Sequence, residues 1–313
     1  MNSTERRQRL LQRMAWLCAA LVLAITSLSA FLRLSKAGLG CEPWPQCYVQ
    51  AGASLASGAP PSTDAATAAA RLAHRIVAVA ALVVVLMMVM TTLATRPPMW
   101  RAGRHALVLL ALALFLAVLG RWTASARVPA VTLGNLLAGF AMFAWSVRLA
   151  QTAGPAHRPT GSSVHGWAAA GAALLVVQIA LGGLVSAGHA GLACPQLAGC
   201  DASGASWQAL NPWHAPAASN GGVGDASAAL VHGAHRAMAL LVGVVLLPVG
   251  LAAWRRGRAA GGMLVLLLVL QLALGVVLVW ARLPFGAALA HNIVAALLLA
   301  TAAYLTGGVR HLR

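Results

Sequence analysis

Eight mainly apolar stretches run along the chain, at about 14–35, 72–95, 104–125, 129–150, 164–187, 228–253, 260–281 and 285–307. A helix rises about 1.5 Å per residue and a bilayer core is roughly 30 Å thick, so each stretch is long enough to cross. The pattern predicts an all-α integral membrane protein with eight transmembrane helices, and the even number puts both ends of the chain on one side.

Polar positions between the stretches give the orientation. Arg6, Arg7, Arg9 and Arg13 precede the first stretch, and Arg96, Arg101 and Arg104 lie between the second and third. Arg148 and Arg158 follow the fourth, Arg255, Arg256 and Arg258 the sixth, and Arg310 and Arg313 the eighth. Every second junction is therefore basic, and basic junctions stay in the cytoplasm. The expected setting is a bacterial cytoplasmic membrane with both termini inside, and two long outer loops at about 36–71 and 188–227. The first stretch has a basic start but no small-residue cleavage site before Arg33, so it reads as a retained span.

Composition agrees: 60% of the 313 residues are hydrophobic and 9% charged. A formal net charge of +17 would suggest nucleic acid in a soluble protein. Here the basic residues fall between spans, without a basic helix face interleaved with aromatics, so membrane orientation accounts for them and no nucleic-acid partner is expected.

The chain also repeats at about 155 residues. Ser35–Cys41 leads to Cys47, and Ala187–Cys194 to Cys200, both as C-x5-C in an outer loop. Ala73-His74-Arg75 recurs as Ala234-His235-Arg236, and Ala126-Arg127-Val128-Pro129 as Ala281-Arg282-Leu283-Pro284. Two four-helix halves are expected, 1–153 and 154–313, as pseudo-symmetric bundles. A Gly- and Pro-rich link at about 151–163 joins them.

Carboxylates do not carry the chemistry, because Glu5, Glu42, Asp64, Asp201 and Asp225 all lie outside the apolar stretches, which argues against a proton or cation path. Histidine remains: His74 near the outer start of the second helix, His232 and His235 at that of the sixth, and His291 near the outer end of the eighth. A lone imidazole can be satisfied by a carbonyl, but His235 and His291 share a depth on two helices of one half. Facing side chains in a bundle core hold cofactors, and imidazole is a common haem ligand. A structural zinc site needs four close N or S ligands, which this arrangement lacks. His232 shares the face of His235 and is an alternative ligand, although the repeat pairs His235 with His74.

Arg75, Arg236, Arg127 and Arg282 sit beside these histidines or at outer helix ends. They could snorkel to the interface or pair with haem propionates. On the oxidising side of the membrane, Cys41 with Cys47 and Cys194 with Cys200 are the expected disulfides. They could serve as a fixed lid, for stability, or in redox chemistry. Cys18, in the first helix, reads as core.

With these landmarks assembled, the chain resembles the haem A synthase family along nearly its whole length. The resemblance implies a haem b cofactor in the C-terminal half, with His235 and His291 as its ligands. It also implies haem O as substrate in the N-terminal half beside His74, its C8 methyl group oxidised to formyl by successive hydroxylations during cytochrome oxidase biogenesis. The partners implied are the lipid bilayer, the membrane enzyme that makes haem O, an electron donor and a possible second copy of the chain.

Two positions depart from the family pattern. Asn135 stands nearest to where the family commonly has a histidine on the fourth helix, and Arg71 where a glutamate often precedes the first His-Arg. Asn135 is then a substrate-side catalytic candidate with His74. The other classes compatible with the sequence are a non-catalytic haem b-binding electron-transfer or assembly protein of the same fold, and a transporter built on the repeat.

Overall fold

The computed structural model describes residues 3–36, 39, 44, 46–48, 50, 65–122, 128–154, 162–214 and 224–307. Among them are eight helices long and apolar enough to cross a membrane. They are α1 (Ser3–Lys36), α2 (Ala65–Val89), α3 (Trp100–Gly120), α4 (Pro129–Ala153), α5 (Ser162–Ala187), α6 (Ala226–Arg255), α7 (Ala259–Trp280) and α8 (Phe285–Leu305). No strand occurs among the described residues.

Several bounds differ from the apolar stretches, each for a local reason. α1 begins at Ser3 rather than near 14, because the polar run Thr4–Arg13 is rich in Glu, Arg, Gln and Leu, which favour helix without burial. α2 begins at Ala65 through an alanine-rich lead and widens into one π-helical turn, Met90–Ala94. There Thr91 and Thr92 hydroxyls donate to Met87 and Met88 carbonyls, and Arg7 crosses from α1 to the carbonyls of Thr91 and Pro97. α3 stops at Gly120, where Arg121 and Trp122 turn back onto the Val118 and Leu119 carbonyls.

Neighbour contacts form two circuits. α1 packs on α2 and α4, α2 on α3, and α3 on α4; α5 packs on α6 and α8, α6 on α7, and α7 on α8. The circuits meet where α8 lies against α1 and α4, and α4 against α5. Small residues allow the close crossings, as expected where lipid supplies no hydrophobic drive between helices. A Cβ on Gly261 of α7 would collide with the Trp254 backbone nitrogen and lie 2.6 Å from the Gly250 carbonyl of α6. The core contains Cys18, fully buried on α1, whose sulfur receives the Ser146 hydroxyl of α4 at 3.5 Å.

Two helices close with the same hydrogen-bond pattern and different residues. After α6, Gly257 (φ 75°) donates to the Trp254 carbonyl and Arg258 to that of Ala253, a Schellman cap with glycine in the left-handed position. After α7, Arg282 (φ 53°) donates to Val279 and Leu283 (φ 58°) to Leu278. There two successive side-chain-bearing residues are left-handed, at a cost of about 1–2 kcal/mol each. The packing of Leu283 offsets part of that cost: its Cδ1 comes within 2.5 Å of where a Gly191 Cβ would stand, so Gly191 leaves room for it.

On the face bearing the cysteine loops, Leu34, Leu39 and Tyr48 cluster with Leu192, Leu283 and Phe285. Tyr48 also lies 5.4 Å from the His189 ring. Burial pushes the Tyr48 phenol above its usual range and the His189 imidazole below its own, despite a hydrogen bond from His189 to Ala187.

Candidate functional site

Asp225 starts α6 by accepting the Ala228 N–H at 3.0 Å, a carboxylate cap that also suits the helix dipole. Ten residues further on, the helix presents His235. Pro284 starts α8, and its seventh residue is His291. The two rings face each other with centroids 6.5 Å apart and planes at 64°.

The neighbouring helices leave room for both imidazoles. A Cβ on Gly182 of α5 would lie 2.9 Å from His235 Cε1, and one on Gly275 of α7 would lie 3.7 Å from His291 Cε1. The Gln178 amide nitrogen, also on α5, is 3.4 Å from His235 Nε2.

Polar atoms in this bundle are left without partners. His235 Nδ1, His291 Nδ1, Gln178 Oε1 and Gln271 Oε1 are all buried with no hydrogen bond. Each such atom costs about 1–3 kcal/mol, and four in one apolar bundle call for an explanation. A metal held between the two imidazoles would account for the ring nitrogens. Two metal–nitrogen bonds of about 2 Å each, together with the distance from nitrogen to ring centre, give a centroid spacing near the one observed. No group of three or more His, Cys, Asp or Glu that could hold a bare ion occurs among the described residues. The donor set fits a metal whose other ligands come from a macrocycle.

His232, one turn before His235, is buried and its Nδ1 lies 3.0 Å from the Ala190 carbonyl. It ties α6 to the loop instead of facing His291. Arg236 does the same from the other side. Its guanidinium donates to the carbonyls of Cys194 (2.7 Å) and Gln196 (2.6 Å), with a longer contact to Leu197. The loop so held carries the Cys194–Cys200 disulfide, with Cα atoms 5.1 Å apart. Cys200 Sγ rests 3.2 Å from the Ala229 carbonyl on α6, which seats the loop directly over the histidine-bearing helix.

In the N-terminal circuit, His74 lies nine residues into α2, as His235 does in α6. Its Nε2 is 3.0 Å from the Ser29 hydroxyl of α1. Asn135 is half-buried on α4, Arg75 is exposed, and Arg282 is exposed in the turn after α7. Cys47 is disulfide-bonded. Cys41 and Arg127 lie outside the described residues.

Sequence reading passed over Ser29, Gln178, Gln271 and Gly182. The two glutamines carried a signal, since each is an amide within an otherwise apolar span. Ser29 and Gly182 had none, because their importance lies in which helix they meet.

The family model described as cytochrome oxidase assembly protein (COX15-CtaA) matches residues 12–303. A protein named heme A synthase from Shewanella oneidensis is 31% identical over 307 residues, covering 89% of this chain and 90% of that protein.

Proposed function

The chain belongs to the COX15-CtaA family of cytochrome oxidase assembly proteins, and from that membership we propose that it is a haem A synthase, an oxidoreductase converting the C8 methyl of haem O to a formyl group. The observation that carries the reading is the facing pair His235 and His291, 6.5 Å apart between centroids, in a chain alike over nine-tenths of its length to a heme A synthase.

In this reading the C-terminal half, 154–313, holds haem b between His235 and His291, and the N-terminal half, 1–153, receives haem O. Each half is supported by its closed circuit of helix contacts. Bound porphyrin supplies the redox chemistry, and the protein supplies ligation, orientation and exclusion of water. His74, oriented by Ser29, is the candidate to hold the substrate iron. Asn135 stands on α4 nearest to where the family commonly has a histidine, so His74 would be the imidazole this half offers the substrate.

Arg75, Arg127 and Arg282 are propionate candidates. Arg236 contributes more indirectly, through the loop carbonyls it holds beside His235. Basic junctions favour a cytoplasmic-membrane protein with both termini inside. A haem O-producing membrane enzyme, an electron donor and a second copy of the chain are its expected partners.

The test is extraction and chromatography of the haems bound to protein purified from cells that make haem O. Haem b together with haem O, haem A or a hydroxylated intermediate is expected. Haem b alone would favour the electron-transfer reading, and no haem would sink both.

A further inference from the structure

Arg33 sits three residues before the end of α1, and its side chain crosses to two other helices. Nε donates to the Ser186 hydroxyl of α5 at 3.2 Å, and Nη2 to the Asn292 side-chain oxygen of α8 at 3.0 Å. Both partners are neutral. The described carboxylates lie elsewhere: Glu5 at the opposite end of α1, Asp201 exposed in the loop, and Asp225 at the cap of α6. An ionisable side chain within a span implies a partner of opposite charge or a functional pathway.

The place of this cation is specific. Ser29 is one turn before Arg33 on the same face of α1, and its hydroxyl meets His74. Asn292 follows His291 directly, and its Nδ2 is buried with no hydrogen-bond partner. The guanidinium thus lies between the surroundings of the two histidine sites. Arg33 stands eight residues before Cys41, and Ser186 eight before Cys194. The Arg33–Ser186 contact therefore joins equivalent positions of the two repeats, and only one of them is charged. A helix-tying contact needs no charge there, whereas an anion received between two sites needs one.

We propose that Arg33 is an anion-binding residue that receives a porphyrin propionate at the junction of the two halves. Guanidinium suits this role because its planar fork matches a carboxylate. The inference rests on the haem reading above. The carboxylate could come from the resident porphyrin or from the substrate porphyrin, and one set of variants separates the two sources.

Arg33→Gln and Arg33→Lys are made in the full chain and purified with resident haem. Redox titration and spectral titration with haem O are then run on each. If the propionate belongs to the resident haem, Arg33→Gln lowers its midpoint, reducing the ferrous-to-ferric ratio at fixed potential by about tenfold, or ~59 mV for one electron. If it belongs to the substrate, the Kd for haem O rises about tenfold and the midpoint holds. In either case Arg33→Lys recovers most of the change, because the charge returns.

Equal losses in both variants would mean packing alone and would overturn the proposal, as would haem-loaded Arg33→Gln with both readouts unchanged. Should Arg33→Gln fail to accumulate, Arg33→Met is titrated in its place: a shifted midpoint or Kd supports the proposal, and wild-type values of both overturn it. Wild-type protein without any haem would instead remove the underlying haem reading.

Discussion

An imidazole nitrogen buried in an apolar bundle with nothing to bind is expensive, and His235 and His291 each carry one. The proposed ligation would give both nitrogens a partner. Replacing either with Ala is expected to remove the haem b spectrum from purified protein, and retention of that spectrum in both variants would refute the assignment. His74→Ala should behave differently, keeping haem b while abolishing haem A formation in membranes supplied with haem O. Loss of both together would show that the two sites are not separable.

In the loop that carries Cys194 and Cys200, burial depresses the folded-state pKa of His189, so the unfolded chain takes up its proton more readily. Stability should be intact above about pH 6.5, the ordinary histidine value, and should fall as pH drops below it. Thermal unfolding in detergent from pH 8 to pH 5 measures this, and His189→Gln should flatten the acid limb.

At the scale of helices, the site depends on what α5 omits. A Cβ on Gly182 would press on His235 Cε1 at 2.9 Å, and the ring cannot retreat without losing its facing geometry. Gly182→Val should weaken haem retention by roughly 10–100-fold, the range seen when the supports of a ligand are disturbed. Full haem content at wild-type stability would show that the ring has other room. Capping is separable from ligation. Asp225→Ala removes an N-cap worth about 1 kcal/mol, and it should lower thermal stability while leaving the haem spectrum unchanged.

The same scale shows what could be read from sequence. The eight spans and the facing of His235 and His291 were legible, because apolar length and depth along a span are properties of the chain itself. Helix ends were less so. Polar helix formers extend α1 back to Ser3 beyond its apolar stretch, and the Arg121–Trp122 turn ends α3 at Gly120 before its own runs out. The roles of Gly182, Ser29 and Arg33 were not legible, since each is defined by a side chain on another helix. Arg282 in the left-handed position was also hidden, because the sequence rule expects glycine there, as at Gly257.

For the whole molecule, the meeting of α1 and α4 with α8, and of α4 with α5, makes the junction between the two circuits a continuous packed surface. The disposition of the cysteines in the chain has a practical corollary. Cys18 is sealed in the core, Cys194 and Cys200 are joined, and Cys47 is disulfide-bonded. The native chain should accordingly be silent to a membrane-impermeant maleimide under oxidising conditions. That silence makes wild type its own blank: one cysteine introduced at Arg258, and another at Ala202, would report sidedness in intact cells without first stripping the native thiols. Labelling at Ala202 alone would place the cysteine loops outside, and labelling at Arg258 alone would invert the topology.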